Sequence, residues 1–290
     1  MKNFKIILLS TVMFWLVCGI DFYSCDEVDD DLPKVQIKTP TNDYQVAVMI
    51  YSAGGVRGCT AASVEKAGIA IGDAEIIINK ELIAESDTIG MAGESIIYFD
   101  TVGVVSYLPK TEYELEVRHN EQTIATGNII MPSSPTITNL TFPYTHQLNQ
   151  SLTIEWKKVQ DATAIEFILF GEAIEQDIDT ILSPQKTSFT IPGTFFSEPD
   201  ELTLEISAIN GANLDVISGK YQDEDGNYTR SINLNGAAGI FCAMNFESDE
   251  EFIITVIGEE SLGKHRNITP HKKDFKEILK NKHWQKLNPF

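Results

Sequence analysis

Leu202-Thr203-Leu204-Glu205-Ile206-Ser207-Ala208-Ile209-Asn210 alternates apolar and polar side chains with the two-residue period of a β-strand. Leu202, Leu204, Ile206 and Ala208 are expected on a core face, and Thr203, Glu205 and Ser207 on a wet one. The same signature runs through the chain upstream. Tyr113, Leu115 and Val117 alternate with Glu112, Glu114, Glu116 and Arg118, and Tyr44–Tyr51, Ala74–Asn79, Ser95–Phe99 and Gln122–Ala125 are rich in β-branched and aromatic residues. Gly54-Gly55, Gly72-Asp73, Met91-Ala92-Gly93 and Pro109-Lys110 break these runs. Only Ala61–Ala67 has the composition of a short helix. Strand after strand without a sustained helical period predicts an all-β chain of antiparallel sandwiches.

Met131-Pro132-Ser133-Ser134-Pro135 suits neither a ladder nor a helix. It divides the chain into a first β-sandwich over 34–131, a linker over 132–135 and a second β-sandwich over 136–258. In the second, Leu152-Thr153-Ile154-Glu155-Trp156 is followed by Val159–Phe167, then by Thr187-Ser188-Phe189-Thr190-Ile191-Pro192 and the strand quoted above. A Trp-bearing strand, a turn with a small residue, a strand closing in Pro and an alternating strand ending in Ala-x-Asn resemble a fibronectin type III domain of the immunoglobulin-like class. Leu202 stands where that family usually has the Tyr of its corner.

Met1-Lys2-Asn3-Phe4-Lys5 is a basic start, and Ile6–Ile20 is a run of 15 mostly apolar residues. A bilayer span wants about 20, so the run has the length of a secretory signal. Asp21-Phe22-Tyr23-Ser24-Cys25 follows, and then the acidic stretch Asp26-Glu27-Val28-Asp29-Asp30-Asp31. A small residue before Cys25 and acids after it resemble the lipoprotein signals of Bacteroidota outer-membrane proteins. The resemblance implies a signal peptide over 1–24, an acylated Cys25 and an acidic tether over 25–33. The lipid anchor would hold the protein at the outer membrane of the cell envelope, facing either the surface or the periplasm.

Hydrophobic residues at 43% suffice for real cores, and charged residues at 22% are ordinary, so wholesale disorder is excluded. Against 22 Lys and Arg stand 42 Asp and Glu, a net of −20 that excludes a general nucleic-acid binder, which needs clustered cations. The charge is unevenly spread. Leu262–Phe290 carries eight Lys and Arg against Asp274 and Glu277, a net of +6 inside a basic tail over 259–290. Thr269-Pro270 could open a short helix there, with Phe275, Ile278 and Leu279 as a weak apolar stripe. Cys59 and Cys242, 183 residues apart, would remain in the mature chain as a disulfide or as two buried thiols.

Candidate chemical sites are sparse. Asp223-Glu224-Asp225-Gly226-Asn227 offers Asp223, Asp225 and Asn227 as oxygen ligands for Ca²⁺, but the spacing fails the EF-hand pattern, and Asp-Gly is a turn dipeptide. Gly54–Thr60 is Gly-rich but lacks the Lys of a phosphate loop, which leaves Arg57 as a loop residue with binding potential. His119 and His146 stand isolated, and no metal-binding or hydrolase motif is present. Asp87-Thr88-Ile89, Asp100-Thr101-Val102 and Asp179-Thr180-Ile181 resemble Bacteroidota O-glycosylation tripeptides. The whole arrangement resembles a group of Bacteroidota lipoproteins without an assigned activity, so no catalytic residue and no cofactor is carried over. The expected function is binding or assembly without catalysis, with another envelope protein as partner, as an accessory to an outer-membrane uptake receptor. An adhesin or fimbrial-type subunit and an envelope hydrolase or its accessory module are the alternatives.

Overall fold

Runs of β-branched and aromatic residues become strands only where two faces or two edges can be covered, and the chain does this with 19 strands among its described residues. The computed structural model describes residues 34–53, 57–83, 98–99, 105–171, 177–247 and 252–258. The strands are β1 (Ile37–Lys38), β2 (Tyr44–Ala53), β3 (Arg57–Lys66), β4 (Ile69–Ala70), β5 (Glu75–Ile78), β6 (Glu81–Leu82), β7 (Tyr98–Phe99), β8 (Glu112–His119), β9 (Gln122–Ile130) and β10 (Tyr144–Gln147). They continue as β11 (Leu152–Glu155), β12 (Ala164–Gly171), β13 (Ile178–Leu182), β14 (Ser188–Ile191), β15 (Asp200–Asn210), β16 (Ser231–Ile232), β17 (Leu234–Gly236), β18 (Ala238–Phe246) and β19 (Phe252–Ile257). One turn of helix, α1 (Leu214–Ile217), starts where the Asn213 side chain accepts from the Val216 N–H. Among the described residues no helix is long and apolar enough to cross a membrane.

The first sandwich packs the sheet β17-β9-β8-β5-β6 over one face of β3-β2-β18. Val46, Val48 and Ile50 from β2 meet Tyr113, Leu115 and Val117 from β8, and Phe241 and Ala243 from β18 close the same core. The second sandwich packs the pair β11-β14 over β13-β12-β15-β19. Its core gathers Ile154, Trp156, Phe167, Phe196, Leu204 and Ile254, with the indole N–H donating to the Lys186 carbonyl at 2.9 Å. This is the all-β sandwich architecture that the strand periodicity predicts.

One strand joins the two. β18 runs parallel to β2 over nine residue pairs and antiparallel to β15 through Ser207–Asn210. β15 continues with its other half, Asp200–Leu204, paired to β19, while its far edge carries β12. The large sheet is therefore mixed rather than antiparallel throughout, and it runs unbroken past the Pro132–Pro135 segment. That segment is itself tied down: Asn210 Nδ2 donates to the Ile130 carbonyl, Asn245 Nδ2 to the Pro132 carbonyl, and Ser133 exchanges hydrogen bonds with Gln160.

The approach to β18 is sharply folded. One residue, Asn233, separates β16 in the large sheet from β17 in the five-stranded sheet, and one residue, Ala237, separates β17 from β18. Asn233 takes φ +54°, and its buried side chain donates to the carbonyls of Gly211 and Phe241 and accepts from the Gln36 N–H. Gly239 takes φ +129°, and a Cβ there would strike the Val46 backbone, so glycine is what lets β18 lie against β2.

The structure corrects several expectations. Ala61–Ala67 is not helical: residues 61–66 are strand β3, because β2 offers a complete antiparallel ladder from Tyr44–Lys66 to Ala53–Arg57, and small alanines fit between two cores. Glu205 and Ser207 are buried rather than wet, because β15 has apolar clusters on both faces. Cys59 and Cys242 share one sheet without a disulfide between them; β2 lies between their strands. Two strand spacings amount to about 9.5 Å, beyond the roughly 7 Å between Cα atoms that a disulfide tolerates. Residues 1–33 and 259–290, with Cys25 and the tail, lie outside the described residues, as do Asp87–Ile89 and Asp100–Val102.

The steric account of β18 gives a paired expectation. Gly239→Ala loses at least about 3 kcal/mol in urea denaturation, because both the φ and the β2 backbone oppose a side chain. Gly68→Ala, at φ +74° with open space around it, costs only about 1 kcal/mol.

Candidate functional site

The polar side chains that do converge lie at one end of the first sandwich. The β8–β9 turn places Asn120 and Glu121 at positive φ, 51° and 62°, the backbone twist that suits a tight hairpin. His119, the last residue of β8, is thereby set against Tyr44, the first of β2. The Tyr44 hydroxyl lies 2.9 Å from His119 Nδ1, and the rings meet edge to face with centroids 5.7 Å apart. On the opposite side of the imidazole, Nε2 lies 3.2 Å from Asp73 Oδ1. Lys66 Nζ sits 4.6 Å from the Tyr44 ring centroid and 3.6 Å from Asp43 Oδ1.

A neutral imidazole has one donor and one acceptor nitrogen. With Nε2–H donating to Asp73, Nδ1 accepts from the Tyr44 hydroxyl. His119 thus ties β2 of the large sheet to β8 of the five-stranded sheet. The two oxygen partners occupy opposite ring nitrogens, so the three groups do not converge on a single metal position. The Asp73 side chain is 77% exposed and that of His119 11%. The Tyr44–His119 bond is therefore the sheltered half of the chain, and the bond to Asp73 the half screened by water. His119 is thus not isolated, as its sequence neighbours suggest; Tyr44 and Asp73 are brought to it by different strands and turns. His146 is also held, buried against Phe196 at 4.4 Å between centroids and 2.8 Å from the Gln150 carbonyl.

Asp223, Asp225 and Asn227 form a turn. Asp223 Oδ1 accepts from the N–H groups of Asp225 and Asn227 at 3.0 and 2.9 Å, and the Gly226 N–H, at φ +91°, donates to the Asp223 carbonyl. Burial works to raise the Asp223 carboxyl, but hydrogen bonds from Asn227, Asp225 and Gly226 outweigh it and hold the group below its ordinary range. Its oxygens are engaged within the turn, and among the described residues no three His, Cys, Asp or Glu side chains are grouped to hold a metal ion. Arg57 opens strand β3 opposite Ala53, so its backbone belongs to the ladder rather than to a loop.

The remaining reactive side chains are inside. Cys59 pairs across the ladder with Tyr51, and Cys242 with Met49. Burial pushes the Cys242 thiol well up, so it carries no thiolate at neutral pH. Tyr51 is raised by burial first and then by Cys59, Cys242 and Glu166. Outside, β8 shows water its Glu112, Glu114 and Glu116, the last held below the usual carboxylate range by the fork of Arg118.

No family model matches the chain, and no curated protein matches it. Among solved structures it is similar to the fibronectin(III)-like modules of Clostridium thermocellum CbhA, at 12% identity over 81% of this chain and 100% of that one, with a TM-score of 0.22. A two fibronectin type III domain segment from chicken tenascin shares 8% identity over 62% of this chain and 92% of that one, with a TM-score of 0.23. The human OSCAR ligand-binding domain shares 10% identity over 59% of this chain and 91% of that one, also at 0.23. The sandwich architecture rests on the strand pairing and cores described above.

If the imidazole–phenol bond is what ties the sheets, His119→Ala loses about 1–2 kcal/mol in urea denaturation. Asp73→Ala leaves the midpoint nearly unchanged.

Proposed function

We propose that this chain is a lipid-anchored protein of the cell envelope whose two β-sandwiches serve binding or assembly rather than catalysis. The observation that carries this reading is the order of segments along the sequence. The signal-like segment, Ser24-Cys25 and the acidic run come first, and the first described strand, β1, begins at Ile37. A folded body preceded by a short polar tether and an acylatable Cys is what an anchored module needs. Each buried acyl CH₂ contributes about 0.8 kcal/mol, so several chains on one Cys hold a soluble domain firmly.

The polar groups of the body support a binding role. The Tyr44–His119–Asp73 chain engages its own partners, the Asp223 carboxylate serves its own turn, and the buried thiol of Cys242 is kept protonated. Between β2 and β15 the position that a donor strand would take is filled by the chain's own β18. This favours a self-contained module over a strand-exchanging fimbrial subunit. Placement at the outer membrane, beside a nutrient-uptake receptor, is the setting that the Cys25 motif supports.

The test is Cys25→Ala in the native host, with fractionation and metabolic labelling by a fatty acid. The wild type is expected to carry label and to sediment with membranes, and Cys25→Ala to carry none and to turn soluble. An unlabelled wild type, or a variant that stays with the membrane, would contradict the anchor.

A further inference from the structure

Two buried hydrogen-bond acceptors at the joint between the sandwiches have no donor. Asn245, 0% exposed near the end of β18, donates through Nδ2 to the Pro132 carbonyl at 2.7 Å, yet its Oδ1 receives nothing. Two residues on, Glu247 accepts the Ile137 N–H at Oε1, at 2.8 Å, while its Oε2 is buried without a partner. Asn245 is the last residue but one of β18, and Glu247 follows directly after the strand's end. These two also grip the same stretch, residues 132–137, that leads from one sandwich to the other. An unmatched buried acceptor is costly, and two of them, two residues apart and bonded to the same connecting stretch, call for a donor.

A proton is the smallest species that satisfies both. We propose that Glu247 and Asn245 form a proton-dependent latch, in which the protonated Oε2 of Glu247 donates to Asn245 Oδ1 while Oε1 keeps the Ile137 N–H. Removal of the proton by solvent leaves a carboxylate on Glu247 and an unpaired carbonyl on Asn245. Independently of this geometry, burial pushes the Glu247 carboxyl up to about 7, against the downward pull of the Ile137 N–H.

Among the described residues, the segments around Glu247 bring few charged groups. The 132–137 stretch brings none, and Lys157 and Lys158 beyond β11, like Lys110 beside Met131, are exposed. Asn210 of β15 is uncharged, and Glu166 and Glu205 lie on the opposite face of the large sheet, by strand alternation. In sequence, Glu247 is followed by Asp249, Glu250 and Glu251, which lie outside the described residues.

The sign follows from proton linkage. An unfolded Glu titrates near about 4.3, so between there and about 7 the folded state binds the extra proton. The latch's stabilisation is complete below that window, is lost as pH rises through 7, and stays lost above it. Glu247→Gln places a permanent amide donor at the same position.

Thermal melts of the wild type and Glu247→Gln between pH 5 and 8.5 test this. The two are expected to coincide at pH 5, with the wild type falling behind by a few degrees above pH 8. Carboxyl NMR is expected to place Glu247 near neutrality in the wild type and lower in Asn245→Ser. If Asn245→Ser does not fold, the wild-type titration and the Glu247→Gln melts still decide. A Glu247 that titrates in the ordinary carboxylate range, a melting gap independent of pH, or a shift unaltered by Asn245→Ser would overturn the latch. So would millimolar Ca²⁺ that raises the wild-type melt at pH 8 but not that of Glu247→Gln, because a metal ion would then fill the gap.

Discussion

Everything in this fold depends on β18 finding both of its neighbours. Its nine residues are buried, with Phe241 and Ala243 in the first sandwich's core and Ile240, Cys242 and Met244 on the other face. A strand buried on both faces and paired on both edges leaves no backbone group for water, so its N–H and C=O groups must be matched by β2 on one edge and by β16, the Asn233 side chain and β15 along the other. The parallel ladder with β2 supplies one edge and Ser207–Asn210 part of the other. Because β2 belongs to the N-terminal sandwich and β15 to the C-terminal one, the two halves share hydrogen bonds rather than merely touching.

That sharing explains where the buried polar side chains sit. Asn233, Asn210 and Asn245 bond backbone groups that the strand crossings leave without ladder partners: the carbonyls of Gly211, Phe241, Ile130 and Pro132 and the Gln36 N–H. Asparagine can donate and accept from one short side chain, which suits points where three segments meet. Tyr44 and His119 do similar work between the two sheets of the first sandwich. The polar chemistry of the described body is thus spent largely on holding the fold.

Much of the architecture is legible in the sequence wherever one face of a strand meets water. Glu112–Arg118 alternates in sequence, and its Tyr113, Leu115 and Val117 are buried while Glu112 and Glu114 are exposed. The reading fails where both faces are covered. Glu205 and Ser207 look wet by composition and are buried, and Ala61–Ala67 looks helical by propensity and is largely strand. Tertiary packing overrides local preference at both places. The partners of β18 are illegible for a different reason: Val48 and Phe241 pair although they lie nearly two hundred residues apart, and no local pattern encodes such a ladder. The Tyr44–His119–Asp73 chain escapes for the same reason, since each member comes from a separate segment.

The central claim is that β18 makes the first sandwich incomplete without the C-terminal half. Urea unfolding of a 34–131 polypeptide beside 34–258, followed by circular dichroism and tyrosine fluorescence, tests it most directly. The account predicts a cooperative transition for 34–258 and none for 34–131, whose β2 edge and core would lack β18, Phe241 and Leu234. A 34–131 polypeptide that unfolds cooperatively, with strand content matching its share of the whole, would contradict it.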